Sequence, residues 1–201
     1  MTSPREHDAW LVDLDGTLYA QAPVRLAMAA ELALLGWGAV RVLKRFRREQ
    51  EALRELELEG DPFLLQVERT AAALGEAPAA VEALVQAWMI ERPGKWLSLF
   101  RRRPLLEEIR AFRAAGGRTA LVSDYPARKK LAALGATPLF EVIVASGEPA
   151  GPTRLKPHPS GMLRAAAALG VDPARCLVIG DRADADGAAA RTAGMAFRQV
   201  G

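Results

Sequence analysis

The sequence contains little cysteine, little histidine and little net charge. Its one cysteine, Cys176, excludes an internal disulfide and fits a reducing compartment, so we expect a cytoplasmic protein. The two histidines, His7 and His158, lack the partner spacing of a metal site, and we interpret both as surface or turn residues. A formal net charge of +3 over 201 residues is compatible with a small anionic substrate and too small to indicate a nucleic-acid partner.

A long apolar run without charges is also missing. The first ten residues, MTSPREHDAW, lack the apolar stretch of a secretory signal. The most apolar window, residues 26–43, contains Glu31, Arg41 and two glycines, whereas a membrane span needs about 20 predominantly apolar residues. We therefore interpret this window as a helix or helix pair rather than an anchor. Contact of the basic stretch KRFRRE, which follows it, with a membrane surface stays an alternative.

The sequence changes character twice along the chain. Residues 9–15 read as a buried strand, residues 22–98 as helices, and from residue 104 onward helical and strand-like segments alternate. The runs RTALVS, FEVIVA and CLVIG are typical of strands covered on both faces. This alternation predicts an α/β fold, with a Rossmann-like, mostly parallel sheet core and an inserted all-helical domain. We expect the core in residues 1–18 and 101–201, and we call residues 19–100 the helical insertion.

Helix ends can be predicted within the helical insertion. In residues 78–90, apolar side chains recur at helical spacing, Pro78 suits the first position, and a Pro-Gly pair follows the end. Before that segment, Asp61 is the predicted N-cap of a helix that ends at Gly75.

Polar side chains follow the predicted strands at the points where the strands end. In open α/β sheets, ligands bind beyond the carboxyl ends of the strands, so we expect these side chains to form one site. A lysine in a proline-rich loop before the third crossover helix should join them. The residues are Asp13, Asp15, Ser123, Asp124, Lys156, Gly180 and Asp181.

The crowding of carboxylates at this edge predicts a bound cation. Several negative charges close together repel one another and raise their pKa values, and Lys156 alone cannot balance them. An oxygen-only site without histidine or cysteine suits Mg²⁺. Asp13 and Asp15 lie one residue apart on an extended strand and point to the same side, so one can stay ionised as a nucleophile while the other exchanges a proton.

Four segments, DLDGTL, VSD, KPHP and IGDRADADGAAARTAG, resemble in order the four motifs of the haloacid dehalogenase superfamily, specifically its phosphatase-type members. The resemblance covers the chain outside residues 19–100, and the helical insertion directly after the first motif resembles that family's helical cap. It implies a Mg²⁺-dependent phosphatase that hydrolyses a small phosphate monoester through an aspartyl-phosphate intermediate.

The resemblance also implies a role for each catalytic residue. Asp13 would be the nucleophile that takes the phosphoryl group, and Asp15 would protonate the leaving oxygen and later deprotonate the attacking water. Ser123 would hydrogen-bond a phosphoryl oxygen. Lys156 would neutralise the phosphate and the nucleophile.

Further positions would bind the phosphate and the metal. Backbone N–H groups near Gly16 and Asp124 would assist Ser123 and Lys156 on the phosphate. The Asp13 carboxylate, the Asp15 carbonyl and Asp181 would hold Mg²⁺. Counting back from ARTAG favours Asp186 as the further acidic ligand, with one residue more than the compact form of the motif, and leaves Asp184 as a turn or helix cap.

Other functions on the same fold stay open. A phosphomutase would return the phosphoryl group to its substrate, and a catalytically silent binding protein would keep only the fold. A lipid-phosphate phosphatase could rest an apolar, basic cap on a membrane. A halide-removing enzyme is disfavoured because that chemistry uses neither an acid/base at Asp15 nor a metal. The substrate and the oligomeric state are not predicted.

Overall fold

The core of the fold is one parallel sheet. The structure, a computed structural model, describes residues 6–56 and 60–201, so residues 1–5 of the expected core and 57–59 of the helical insertion lie outside the described residues. The strands are β1 (Ala9–Val12), β2 (Arg118–Ser123), β3 (Val142–Ala145), β4 (Cys176–Gly180) and β5 (Ala196–Gln199). They pair in the order β3-β2-β1-β4-β5, each parallel to its neighbours. The predicted α/β class is confirmed.

Strand β1 occupies the middle of the sheet and is covered on both faces. Leu11 pairs in register with Ala120 of β2 and with Val178 of β4. Leu11 packs into the apolar cluster on one face, whereas the next residue, Val12, packs into the cluster on the other face. Because both faces are buried, the strands read as continuous apolar runs, and the sheet could be predicted from them.

Helices surround the sheet and fill the segment that follows β1. The sequence from Gln86 to Glu91 is a π-helical turn that continues the fourth helix, and the sequence from Ala183 to Gly187 is a second π-helical turn, which follows β4. The helices are α1 (Gln21–Leu35), α2 (Trp37–Glu55), α3 (Pro62–Leu74), α4 (Pro78–Val85), α5 (Gly94–Leu99), α6 (Arg103–Ala114), α7 (Arg128–Leu134), α8 (Ser160–Leu169) and α9 (Ala188–Thr192).

The chain leaves and re-enters the core at one place. Tyr19 and Arg101 form an antiparallel bridge, the Ala20 N–H donates to the Phe100 carbonyl at 2.9 Å, and the Arg102 N–H donates to the Leu18 carbonyl at 2.8 Å. The two ends of the helical insertion therefore lie side by side. Its division from the core into separate domains stays a prediction.

The helical insertion has its own apolar cluster, in which Phe46 of α2 and Phe63 of α3 are fully buried. The predicted N-cap is confirmed, because the Asp61 carboxylate accepts a hydrogen bond from the Phe63 N–H at 2.8 Å. The predicted helix end is confirmed as well, since Gly75 adopts a left-handed conformation with φ 68°. Among the described residues, no helix has both the length and the apolar character needed to span a membrane.

The helical insertion lies over the carboxyl ends of β2 and β3. Arg54 of α2 pairs with Asp124, just after β2, at 2.9 Å. The Asp61 carboxylate accepts from the Gly147 N–H, just after β3, at 2.9 Å. The rings of Phe46 and Tyr125 stack with their centroids 6.2 Å apart. These contacts set the helices above the sheet edge at which the predicted site lies.

Candidate active site

Three carboxylates meet at the carboxyl edge of the sheet. Asp13 follows β1, Asp181 follows β4, and Asp186 lies in the π-helical turn after β4. One oxygen atom from each carboxylate lies within 4.8 Å of the others. Asp13 and Asp186 are buried and Asp181 is half-buried. Three oxygen donors at this separation form a set that can hold a divalent cation such as Mg²⁺.

Lys156 projects into the same cluster from the loop before α8. Its ammonium donates to Asp13 at 2.5 Å and to Asp186 at 2.7 Å, and the side chain is buried. Burial alone would lower the pKa of Lys156, but the facing carboxylates of Asp13 and Asp186 raise it above its usual value. The lysine therefore supplies a permanent positive charge inside the cluster.

The cluster is short of positive charge, and Asp13 shows the consequence. Burial raises the pKa of Asp13 to about 8, with a further upward contribution from Asp186, while Lys156 acts in the opposite direction. Burial and Asp186 also raise the pKa of Asp181. A divalent cation fits this donor set because it would supply the missing positive charge. The Thr17 hydroxyl donates to the second Asp13 oxygen at 2.9 Å and fixes the orientation of the carboxylate.

Asp15 has a different environment from Asp13. The ammonium of Lys130, on α7, donates to its two oxygens at 2.6 and 2.8 Å, and the Tyr19 hydroxyl donates to one of them. Burial alone would raise the pKa of Asp15, but Lys130 and the Tyr19 hydroxyl hold it below its usual value. Asp13 and Asp15 thus titrate in opposite directions from their ordinary values.

Ser123 and Asp124 end β2 at the cavity wall. Ser123 is buried, and its hydroxyl accepts from the Tyr125 N–H at 3.2 Å. The Asp124 carboxylate accepts from the Lys156 N–H at 3.1 Å and pairs with Arg54. Asp124 therefore positions the loop that carries Lys156 and the helix that carries Arg54, in addition to its predicted backbone role.

Glycines allow the carboxylates to approach the backbone. Gly16 has φ 97°, and a Cβ atom at this position would overlap the carboxylate of Asp181. A Cβ atom at Gly180 would likewise overlap the carboxylate of Asp186. The glycine in each motif is therefore required by the close approach of an aspartate from elsewhere in the site.

The two acidic candidates of the last motif have separate positions. Asp186 is 2% exposed and contacts Lys156. The side chain of Asp184 is 72% exposed and pairs with Arg182 at 2.6 Å. The structure brings Asp186 into the cluster and leaves Asp184 outside it.

Sequence reasoning did not predict Lys130, Arg54 or Thr17 as parts of the site. Thr17 lies within DLDGTL, so its place beside Asp13 could have been noticed. Lys130 lies four residues before the buried Leu134, and helical spacing places both on the inner face of α7. No local sequence pattern indicated Arg54, because its partner, Asp124, lies on a distant segment of the chain.

Seven of the predicted residues line one cavity of about 880 Å³ between the sheet edge and the helical insertion. Gly16 lines the pocket next to it. Helices α1 and α2 and the π-helical turn after α4 form the opposite wall. The predicted site residues that line the main cavity are Asp13, Asp15, Ser123, Asp124, Lys156, Asp181 and Asp186.

The model of the haloacid dehalogenase-like hydrolase family matches residues 7–194. The chain belongs to the haloacid dehalogenase-like hydrolases. The predicted family is therefore confirmed, and this hydrolase carries its first and last motifs within the matched range. A search of curated proteins by sequence finds no match.

Solved structures share the fold of this haloacid dehalogenase-like hydrolase. The L-2-haloacid dehalogenase from Xanthobacter autotrophicus has a TM-score of 0.66 and 20% identity, with 96% of this chain and 77% of that chain covered. The HAD phosphatase from Thermococcus onnurineus has a TM-score of 0.66 and 19% identity, with 96% of this chain and 86% of that chain covered. The putative HAD-hydrolase YfnB from Bacillus subtilis, described as bound to magnesium, has a TM-score of 0.63 and 17% identity, with 98% of this chain and 89% of that chain covered. At such identities the likeness shows the fold alone.

Proposed function

We propose that this hydrolase is a Mg²⁺-dependent phosphatase that cleaves a small phosphate monoester through an aspartyl-phosphate on Asp13. The observation that carries the proposal is the cluster itself, in which Asp13, Lys156 and the two further aspartates converge on one point of the cavity. A phosphatase and a magnesium-bound hydrolase among the similar structures agree with it.

The residues present fit a divalent cation, which the carboxylates of Asp13, Asp181 and Asp186, with the Asp15 backbone carbonyl, would hold. When bound, it would neutralise charge on the nucleophile and on the phosphoryl oxygens. Lys156 contributes a second positive charge beside Asp13. Phosphoryl transfer depends mainly on this kind of alignment and charge neutralisation.

The proposed reaction has two steps. In the first, an Asp13 oxygen attacks phosphorus, the bond from phosphorus to the leaving oxygen breaks, and Asp15 gives that oxygen a proton. In the second, Asp15 takes a proton from a water molecule that attacks the phosphorus, which releases inorganic phosphate and restores Asp13. The Ser123 hydroxyl, the Lys156 ammonium and backbone N–H groups near Gly16 and Asp124 hold the phosphoryl oxygens.

Without ligands, the surroundings favour a proton on Asp13 and an ionised Asp15, which is the reverse of what these roles require. Asp13 must be ionised to attack, yet its pKa is raised; Asp15 must carry a proton, yet its pKa is lowered. A cation beside Asp13 favours the ionised form of Asp13, and a substrate phosphate next to Asp15 favours the protonated form of Asp15. The proposal therefore requires both ligands before the chemistry begins.

The helical insertion is proposed to act as a cap. It covers the carboxyl edge of the sheet, and closing over a substrate would exclude bulk water from the reacting groups. Residues 19–100 would form this cap domain, and residues 1–18 with 101–201 the catalytic core. The partner would be a phosphorylated small molecule.

The test is release of inorganic phosphate from a panel of phosphate monoesters with Mg²⁺. We expect release by the wild-type protein, none with a chelator, and none from Asp13→Asn. Equal release by wild type and Asp13→Asn would remove Asp13 from the proposed role. Conversion of a sugar phosphate to its isomer would indicate a mutase, and chloride release from 2-chloropropionate without phosphate release would indicate a dehalogenase. Absence of every reaction would indicate a binding protein.

A matched pair of variants tests the metal site. Asp186→Asn removes a buried carboxylate from the cluster, whereas Asp184→Asn changes an exposed side chain two residues away. Because removing even an outer partner of a metal ligand costs about 10–100-fold in metal affinity, we expect Asp186→Asn to raise the Mg²⁺ concentration for half-maximal activity at least tenfold. Asp184→Asn should leave that concentration unchanged. The reverse pattern would assign the ligand to Asp184.

A further inference from the structure

The cavity has two chemically different walls. The core wall carries the aspartates, Ser123 and the two lysines, and is polar. The opposite wall, formed by the helical insertion, combines an apolar region with polar side chains. Its larger apolar side chains are Val24, Met28, Leu32, Leu43, Trp88 and Met89.

Helix α1 contributes a continuous apolar stripe to this wall. Val24, Met28 and Leu32 follow one another at intervals of four residues and so share one face of the helix. Trp88 and Met89, in the π-helical turn after α4, and Leu43, on α2, line the same cavity. A bound molecule between the two walls would therefore contact carboxylates and ammonium groups on one side and hydrocarbon on the other.

Three of the polar side chains on this wall contact other groups of the protein. Arg54 pairs with Asp124 and also donates to the Lys156 carbonyl. Gln50 accepts a hydrogen bond from the Tyr125 hydroxyl, and Glu51 lies 3.5 Å from Arg54. Arg54 and Gln50 are therefore held by the core, whereas the Glu51 side chain is 64% exposed.

The remaining polar side chains of this wall, Gln21, Arg25 and Arg47, are half-buried or exposed. They can meet an anion from solvent, but the buried part of the wall offers hydrocarbon. A sugar carries several hydroxyl groups, and each one desolvated without a partner weakens binding. A polyhydroxylated leaving group therefore fits this wall poorly.

We propose that the preferred substrate is a phosphate monoester of an apolar alcohol, with an alkyl, acyl-bearing or aromatic body packed against the stripe of α1. The inference rests on the proposed phosphatase function, because the phosphate is placed at Asp13 and Lys156. Burying hydrocarbon against this wall should strengthen binding by up to about fourfold for each methylene group.

The first experiment measures kcat/KM for a series from methyl to hexyl phosphate, with glycerol 3-phosphate and glucose 6-phosphate for comparison. We expect kcat/KM to rise at least tenfold from methyl to hexyl phosphate, and hexyl phosphate to exceed both polar esters. A flat series, or a clear preference for either polar ester, would overturn the inference and leave the phosphatase proposal intact.

Two variants on α1 locate the effect. Met28→Gln places a polar amide on the wall of the cavity, whereas Leu26→Gln makes the same kind of change at a position that is 74% exposed on the same helix. We expect the rise with chain length to shrink at least threefold in Met28→Gln and to persist in Leu26→Gln. An equal effect of both variants would show that the dependence does not arise at the cavity wall.

A binding measurement separates this inference from the proposed function. Alkyl phosphonates have a carbon–phosphorus bond in place of the ester, so their affinity for the wild-type protein with Mg²⁺ can be measured by calorimetry without turnover. Affinity that rises with chain length while no ester is hydrolysed would support the apolar pocket and contradict the phosphatase. Affinity that is independent of chain length would contradict the pocket, whatever the phosphatase activity.

Two further esters distinguish the sources of an apolar alcohol. Dihexanoyl phosphatidate carries acyl chains as a membrane lipid does, and 2-naphthyl phosphate carries an aromatic ring. A preference for the first over glycerol 3-phosphate supports a lipid source, and a preference for the second over methyl phosphate supports an aromatic one. If dihexanoyl phosphatidate has no higher kcat/KM than glycerol 3-phosphate, and 2-naphthyl phosphate none higher than methyl phosphate, the inference fails.

Discussion

Neighbouring side chains of the same type have different environments in this protein. Lys130 is buried and binds both oxygens of Asp15, whereas the adjacent Lys129 is exposed and pairs with Glu91 at 2.5 Å. The same contrast separates Asp186 from Asp184. Helical spacing produces both contrasts, because adjacent residues on a helix point about 100° apart and residues two apart point to nearly opposite sides, so that one of each pair faces the interior.

The Lys130 contact should contribute far more to stability than the Lys129 contact. Lys130→Met leaves the Asp15 carboxylate, which is 18% exposed, without its ammonium, and we expect a cost near the lower end of the range of about 3–5 kcal/mol for breaking a buried pair. Lys129→Met breaks a pair whose side chains are 61% and 52% exposed, and such pairs contribute about 0–1 kcal/mol. Urea unfolding at neutral pH measures both changes. Equal losses in the two variants would contradict the buried pair.

The pH dependence of this difference follows from Asp15. Its pKa in the folded protein lies below the ordinary value of 3.8, so the ionised carboxylate contributes stability above that value and loses it as the pH falls through the folded pKa. Without Lys130, burial raises the pKa of Asp15 in the folded variant. We therefore expect the gap in unfolding free energy between wild type and Lys130→Met to be largest at neutral pH, to narrow as the pH falls through that raised pKa, and to narrow further below pH 3.8. A gap that widens in acid would contradict the assignment.

The aspartates of the site and Lys156 could be predicted from the sequence, whereas Lys130 and Arg54, the partners of Asp15 and Asp124, could not. Asp13 and Asp181 each follow a recognisable apolar strand, and strand ends of a parallel sheet meet at one edge. Lys130 lies on a helix, 115 residues from Asp15, and nothing in the local sequence states which carboxylate it faces. Long-range pairs of this kind depend on how helices pack, which a single sequence does not encode in a readable pattern.

At the scale of elements, the last motif shows how an extra residue is accommodated. The sequence predicts a helix over residues 186–193 and one residue more than the compact motif. In the structure the helix begins earlier, as a π-helical turn in which the Gly187 N–H donates to the Arg182 carbonyl at 3.2 Å. Such turns contain one residue more than an α-helical turn and are frequent at functional sites. Here the turn directs Asp186 towards Lys156.

Asp61 links helix α3 to the core through one carboxylate. It caps the first turn of α3 and also accepts from the Gly147 N–H after β3. Asp61→Ala removes both contacts, and since losing an N-cap alone costs about 0.5–2 kcal/mol, we expect a loss near 2 kcal/mol in urea unfolding. Asp61→Asn keeps one side-chain oxygen as an acceptor and should lose less than half as much. A loss as large in Asp61→Asn would indicate that charge, and not capping, dominates.

At the scale of the whole molecule, the helical insertion and the core are joined by apolar packing, in which Val24 and Leu97 enter the cluster on one face of the sheet, and by polar contacts across the cavity. Arg54 contributes two of them, to Asp124 and to the Lys156 carbonyl. Both partners follow strands of the core, and Lys156 itself contacts Asp13. The polar contacts made by Arg54 are thus continuous with the site.

Loss of Arg54 should therefore loosen the helical insertion as well as destabilise the protein. The Arg54 and Asp124 side chains are each 11% exposed, and Arg54→Met leaves the Asp124 carboxylate without its cation, which should cost about 3 kcal/mol in urea unfolding. Because the lost contact joins the two parts, we also expect protease to cleave within residues 21–99 faster than in the wild type. Arg48→Met, on the exposed face of the same helix, is the control and should match the wild type in both measurements. If the two variants unfolded at the same urea concentration and were cleaved at the same rate, Arg54 would not be what holds the helices over the sheet edge.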